Sequence, residues 1–270
     1  MPIDQGLDDL MGIARDTAIV AGVLAKSRRA EGVQLAGTKS SLQDIVTEAD
    51  REVEALIRSL LKAARPDDGF LGEESGAETG SSGLTWVVDP IDGTVNYFHG
   101  IPHYAVSIAV VEGEPDPSTW RTLAGCVSNP ESGEIFLARA GRGATLGGQP
   151  IRVAEGVELS QALVGTGFSY TAERRVEEAR FLSGVLGHIS DIRRQGSAAL
   201  DLCAVACGRL DAYFERGLKP WDQAAGALIA SEAGALVGGL RGEAPTEALV
   251  LAAEPALAAA LEAELLAAGF

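Results

Sequence analysis

Between Leu7 and Leu24 the apolar residues Leu7, Leu10, Met11, Ala14, Ala18, Ala21 and Leu24 recur every three or four positions and predict a first amphipathic helix. A polar stretch, "AGTKSSLQDIV", separates it from "TEADREVEALIRSLLKAARP". There Val53, Leu56, Ile57, Leu60 and Leu61 form a second stripe, and Pro66 stands beyond the stop. Thr47 and Asp50 have the spacing of a capping box at the start of this second helix. Short apolar runs follow around Phe70–Leu71, Trp86–Val88, Ala105–Val111, Leu123–Val127 and Glu134–Ala138, divided by loops such as "GAETGSSG" and "GEPDPS". They predict an antiparallel sheet.

After "GRGATLGGQP" the pattern changes to alternating strands and helices. "ALVGTG" leads into a helix over Ala172 to Leu186, "HISDIRR" into an alanine-rich helix ending at Gly208, and "LDAYFE" into the helical "WDQAAGALIASEAG". Two further short strands and a final helix from Pro255 close the series. The fold class is α/β in a layered, α+β-like arrangement, with an N-terminal half over 1–145 and a C-terminal α/β half over 146–270.

Composition places the 270-residue chain among ordinary globular proteins, 46% hydrophobic and 22% charged. Its net charge of -16 argues against nucleic acid or an anionic membrane as partner. The same charge would repel a phosphorylated ligand unless a cation intervened. No run approaches the ~18 consecutive apolar residues of a membrane span, and "MPIDQGLDDL" carries acids where a signal peptide would carry basic residues. Cys126, Cys203 and Cys207, an odd number in apolar runs, point to a reducing, cytoplasmic setting.

Chemistry concentrates in acids at element ends: Asp50 in "TEAD", Glu73 and Glu74 in "GEES", Asp89 and Asp92 in "WVVDPIDGTVNYFHG", and Asp222 in "PWDQAAG". Each alone has a plain structural role as a helix cap, a solvated loop or a turn. "DGTVN" adds a flexible Gly93 and a Thr94 at a helix start, where free amides suit a phosphate.

Taken together, "DIVTEAD", "GEES", "DPIDGTVN", "GSAALDLCAVACGRLDAYFE" and "WDQAAGALIASEAG" resemble, in order and over nearly the whole chain, the inositol monophosphatase family. The resemblance implies α-β-α-β-α layers of the sugar-phosphatase type, with an antiparallel N-terminal sheet and a smaller mixed C-terminal one. It implies that Glu73, Asp89 and the Ile91 carbonyl hold one Mg²⁺, that Asp89, Asp92 and Asp222 hold a second, and that a third is held weakly near Glu73. It assigns Asp50 and Thr94, with Glu73, to catalysis by metal-activated water attack. Gly93 and Thr94 fall to the phosphate, Gly196, Ser197, Ala198, Glu215 and Asp222 to the substrate alcohol, and Lys39 to a mobile loop. The implied activity is hydrolysis of myo-inositol 1-phosphate, with Li⁺ sensitivity and a homodimer as further implications.

Other phosphatase chemistries fit less well. "CAVACGR" has Cys-x5-Arg spacing but continues an apolar helix without a preceding His, so Cys203 reads as a core thiol. A haloacid-dehalogenase pair would need an aspartate at the position held by Ile91. His99, His103 and His188 lack a paired metal spacing. Fructose 1,6-bisphosphate, histidinol phosphate and nucleotide 3'-phosphates remain alternative substrates, with Lys219, Arg193 and Arg194 as the nearby basic groups. A noncatalytic interaction protein would be expected to have lost one of the four acids Glu73, Asp89, Asp92 and Asp222, and all are present.

Overall fold

The computed structural model describes residues 3–33, 35–38 and 45–270. In chain order the described elements are α1 (Ile3–Glu31), β1 (Leu35–Thr38), β2 (Ile45–Thr47), α2 (Glu48–Ala64), β3 (Gly69–Gly72), β4 (Gly76–Glu78), β5 (Leu84–Asp92), α3 (Thr94–Phe98), β6 (Ala105–Glu112), β7 (Arg121–Asn129), β8 (Glu134–Arg139), β9 (Ala144–Leu146) and β10 (Gln149–Ile151). There follow β11 (Leu163–Thr166), α4 (Ala172–Val185), β12 (Asp191–Arg193), α5 (Ala198–Ala206), β13 (Ala212–Glu215), α6 (Pro220–Glu232), β14 (Leu236–Gly238), β15 (Val250–Ala253) and α7 (Pro255–Ala267).

The stripe from Leu7 to Leu24 is the inward face of α1, and the helix runs on to Glu31 because "AKSRRAE" is rich in good helix formers. The helix α2 begins at the expected cap. The Thr47 amide donates to Asp50 Oδ2 at 2.8 Å, and the Asp50 amide donates back to Thr47 Oγ1 at 3.4 Å. The β1–β2 hairpin around the polar stretch has no alternating apolar pattern and was not expected from sequence.

The larger sheet has the order β10-β9-β8-β7-β6-β5-β3-β4. It departs from the expected antiparallel pattern at one pair, where β3 and β5 run parallel. The hairpin to β4 occupies the outer edge of β3, so β5 returns along its other side in the same direction. The division expected after residue 145 falls within β9, and the change of sheet lies between Ile151 and Leu163. A smaller mixed sheet follows, with order β12-β11-β13-β15-β14, in which β12, β11 and β13 are parallel.

Side-chain alternation sorts the core into layers. Trp86, Val88, Val106, Ile108 and Val110 meet Ala14, Ala18, Ala21, Ile57 and Leu61 of α1 and α2. Val87, Ala105, Ala109 and Val111, one residue out of phase, meet Leu202 and Ile229 of α5 and α6. Those two helices also cover Tyr213, Val250 and Ala252 of the smaller sheet. Its far face, with Val164, Phe214 and Leu251, packs on Leu182 and Val185 of α4 and Leu257, Leu261 and Leu265 of α7. The result is the five-layer α-β-α-β-α order, and central strands buried on both faces explain why their sequences are continuous apolar runs. Among the described residues no helix is long and apolar enough to cross a membrane.

Candidate active site

The end of β5 carries the first acids. Asp89 pairs with Ser107 and Asp92 with Ala105, so β5 has one residue more than β6 across this step, a bulge holding Pro90 and Ile91. Proline has no amide to donate to a ladder and is accommodated in a central strand at such a bulge. The Ile91 amide, freed from the ladder, donates to Asp89 Oδ1 at 3.0 Å. Gly93 then turns the chain at φ +97°, and a Cβ there would lie 3.0 Å from the Gly196 carbonyl oxygen and 3.1 Å from that of His103. Only glycine meets both demands without strain. Thr94 opens the short α3 directly after it.

Further segments complete the wall. β11, β12 and β13 end at the same side of the small sheet and deliver the loops 167–171, 194–198 and 215–219 to one crevice, as the carboxyl ends of parallel strands commonly do. The start of α6 adds Asp222. Glu73, Asp89, Ile91, Asp92, Gly93, Thr94, Gly196, Ser197, Ala198, Glu215 and Asp222 all line a single cavity of about 380 Å³. Asp50 stands behind the wall, 1% exposed, and receives the Thr94 hydroxyl on Oδ1 at 3.1 Å. Lys39 lies outside the described residues.

Hydrogen bonds fix several of these carboxylates. Asp92 Oδ2 accepts the Ser197 hydroxyl at 2.6 Å and the Ala199 amide at 2.7 Å. Asp222 Oδ2 accepts the Lys219 amide at 2.7 Å, closing the first turn of α6. Glu215 Oε2 accepts the Tyr213 hydroxyl at 2.6 Å. Asp50 Oδ2 also takes the Thr47 hydroxyl.

Burial and mutual repulsion raise the pKa of the carboxyl groups around the cavity. Burial raises the pKa of Asp92, against the opposing Ser197 hydrogen bond, and the charge of Glu73 raises it further. Asp222 is pushed well above the usual carboxylate range by burial, then by Glu73 and Asp92. Glu215 rises to about 7, mainly by burial. Asp50 rises to about 7 through burial, with Thr47 pulling the other way and Glu73 and Glu74 adding repulsion.

The carboxylates of Glu73, Asp89, Asp92 and Asp222 on one wall are oxygen donors, the kind that hard divalent cations take, and a cation there would relieve the repulsion. The residues therefore fit a hard divalent cation. Among the described residues no three His, Cys, Asp or Glu side chains are drawn into a closed metal cluster. The acids are brought to one wall and stop short of convergence.

Sequence reasoning missed several contributors. Tyr170 and Arg174 line the cavity from positions with no distinguishing motif, and Trp221, the first residue of "WDQAAGALIASEAG", was given no role of its own. Of the basic residues singled out, Arg194 and Lys219 reach the cavity, whereas Arg193 lines a separate one. Buried Glu54 of α2 accepts the Glu74 amide at 2.8 Å and so holds the "GEES" turn, with no sequence signal beyond its place on the helix stripe. Cys203 is enclosed in α5 and burial raises its pKa well above the usual thiol range, so the Cys-x5-Arg spacing is a coincidence of helix packing.

A model of the inositol monophosphatase family matches residues 7–269. The inositol-1-monophosphatase SuhB of Mycobacterium tuberculosis is 46% identical over 246 residues, covering 84% of this chain and 83% of the relative. The Nus factor SuhB of Vibrio cholerae is 42% identical over 232 residues, 84% of each chain. The solved structure of the extragenic suppressor protein suhB from Bartonella henselae matches with a TM-score of 0.86 at 34% identity, over 95% of this chain and 98% of that one.

Proposed function

Because the chain belongs to the inositol monophosphatase family, we propose that it is a Mg²⁺-dependent phosphomonoester hydrolase that converts myo-inositol 1-phosphate to myo-inositol and phosphate. The observation that carries this reading is one cavity lined by Glu73, Asp89, Ile91, Asp92 and Asp222, with the hydrogen-bonded Thr94–Asp50 pair at its wall.

Two or three Mg²⁺ ions, held by Glu73, Asp89, the Ile91 carbonyl, Asp92 and Asp222, would supply Lewis acidity and offset the charge of the phosphate. The chain's own groups do the rest. The Gly93 and Thr94 amides at the start of α3 bind phosphate oxygens. A water set against Thr94 Oγ1 donates to that oxygen, and its proton passes along the existing bond to Asp50 Oδ1. Burial raises the Asp50 carboxyl to about 7 before cations bind, which favours proton acceptance there. Glu215, braced by Tyr213, accepts a hydroxyl of the polyol, and the loop Gly196–Ala198 borders the same group. The alkoxide leaving oxygen is protonated from water.

A homodimer, inhibition by Li⁺ and a cytoplasmic setting for the three free thiols belong to the same reading. The decisive assay is phosphate release by purified protein, with and without Mg²⁺, from inositol 1-phosphate, fructose 1,6-bisphosphate, histidinol phosphate and a nucleotide 3'-phosphate. Mg²⁺-dependent turnover with the highest kcat/KM on inositol 1-phosphate is expected. Preference for another ester moves the assignment within the superfamily, and absence of turnover on all four overturns it in favour of a binding role.

A further inference from the structure

Asn96 lies in the middle of α3, 6% exposed, and its side chain reaches across the back of the cavity wall. Nδ2 donates to the His103 carbonyl at 2.8 Å and to the Gln195 carbonyl at 2.7 Å. Two acceptors at these distances use both hydrogens of the amide, so the orientation is fixed by the chemistry of its partners. The next residue, Gly196, has φ +89°, and a Cβ on it would come 3.0 Å from Asn96 Nδ2. Between this amide and the Arg194 guanidinium the loop has no room for a side chain at Gly196.

That loop is tied at two further points. Gln195 Nε2 donates to Asp201 Oδ1 at 2.8 Å, anchoring it to α5. Ser197 and Ala199 both donate to Asp92 Oδ2. Asn96 supplies the side-chain link from α3 to the loop, and α3 is the element that begins with Thr94.

We infer that Asn96 is a positioning residue: its single amide, together with the Asp92 carboxylate, sets the register between the turn at Gly93–Thr94 and the loop at Gln195–Ala198. On the function proposed above, those segments hold the phosphate and the polyol of one substrate. Asn96 touches neither. It makes alcohol selection depend on where the phosphate is seated.

The test has one arm without turnover and one with it. In Asn96→Ala, hydrogen–deuterium exchange at amides 195–199 is expected to rise about tenfold or more, since two part-buried carbonyls lose their donor, while α7 keeps wild-type exchange. Asn96→Asp sets a carboxylate against the same carbonyls and is expected to have the larger effect; if it does not fold, the alanine variant decides.

In the second arm, Asn96→Ala is expected to raise KM for inositol 1-phosphate more than it lowers kcat. It is also expected to reduce the kcat/KM preference for that ester over p-nitrophenyl phosphate by about tenfold. A merely structural role would lower both substrates by one factor. Exchange at 195–199 within twofold of wild type, or an unchanged preference, overturns the inference. If wild-type protein hydrolyses neither ester, the proposed function fails, and the exchange arm still decides whether Asn96 couples the two segments.

Discussion

Thr94 Oγ1 donates to Asp50 Oδ1 across 3.1 Å, joining the start of α3 to the start of α2. Asp50 thereby serves two ends. Its Oδ2 closes the capping box with Thr47, and its Oδ1 faces the hydroxyl at the cavity wall. The cap holds the carboxylate in one rotamer, which is what a proton acceptor at this position requires.

Asp50→Asn preserves the shape of this junction and removes the proton acceptor. Its kcat is expected to fall by about 10²- to 10⁴-fold, the usual contribution of a positioned acid or base. The wild-type rate should rise as pH passes upward through the titration of Asp50, near 7 before cations bind. Cations lower a neighbouring carboxyl's pKa, so the acid limb should move to lower pH as Mg²⁺ is raised. Initial rates over pH 5–9 at two Mg²⁺ concentrations check this, and a limb indifferent to Mg²⁺ would count against Asp50 as the base.

Mg²⁺ should stabilise the folded chain by mass action, about 2.7 kcal/mol at a hundred times its Kd. Thermal melts with added Mg²⁺ are expected to shift upward in the wild type and much less in Asp89→Asn, because Asp89 is the acid assigned to both ions. The variant should keep a cooperative melt without metal and lose most activity. An equal Mg²⁺ shift in both proteins would remove Asp89 from the metal site.

The legible part of this site was what the backbone enforces locally. "DPIDGT" declares a turn because Pro90 and Gly93 have narrow conformational meanings, and Thr47 to Asp50 declares a cap by spacing alone. The apolar pattern showed an antiparallel run followed by an alternating α/β half, while the five-layer order came from the family resemblance. What could not be read locally was which ends meet. That Asp92 is held by Ser197, 105 residues later, follows from the parallel ends of β11, β12 and β13 opening beside β5. The parallel β3–β5 pair was also hidden, because strand direction depends on which edge the β4 hairpin occupies. The roles of Asp50 and Asp222 came from family resemblance, since each is otherwise an ordinary helix-start acid.

Asp201 links stability to pH. It is 1% exposed, and burial first, then the charges of Glu215 and Asp92, raise its pKa to about 8, against about 3.9 in an unfolded chain. The folded state thus holds the proton more tightly than the unfolded one. Its contribution is fully present below about pH 4 and is lost as pH rises toward 8. Asp201→Asn keeps an oxygen for the Gln195 amide and removes the titration. The variant is expected to melt higher than wild type at pH 8 and to show a smaller difference in Tm between pH 5 and pH 8. A wild-type pH dependence retained in full by the variant would refute the assignment.

Glu54 braces the turn that carries Glu73. Its Oε2 accepts the Glu74 amide at 2.8 Å, and a Cβ on Gly72 would lie only 2.4 Å from the same oxygen, so the turn after β3 is folded tightly over this carboxylate. Removing it leaves a part-buried amide without this acceptor, a loss of about 1 kcal/mol, and loosens the residue assigned to one Mg²⁺. Partners behind metal ligands commonly change affinity by about 10- to 100-fold. Glu54→Ala is therefore expected to raise the Mg²⁺ concentration for half-maximal activity by at least about tenfold while saturating Mg²⁺ restores much of kcat. Glu54→Gln, which keeps a carbonyl oxygen for the Glu74 amide, should recover most of the affinity. Mg²⁺ titrations of rate at fixed substrate measure both, and a drop in kcat with unchanged Mg²⁺ dependence would show that Glu54 acts on something other than the metal ligand it underlies.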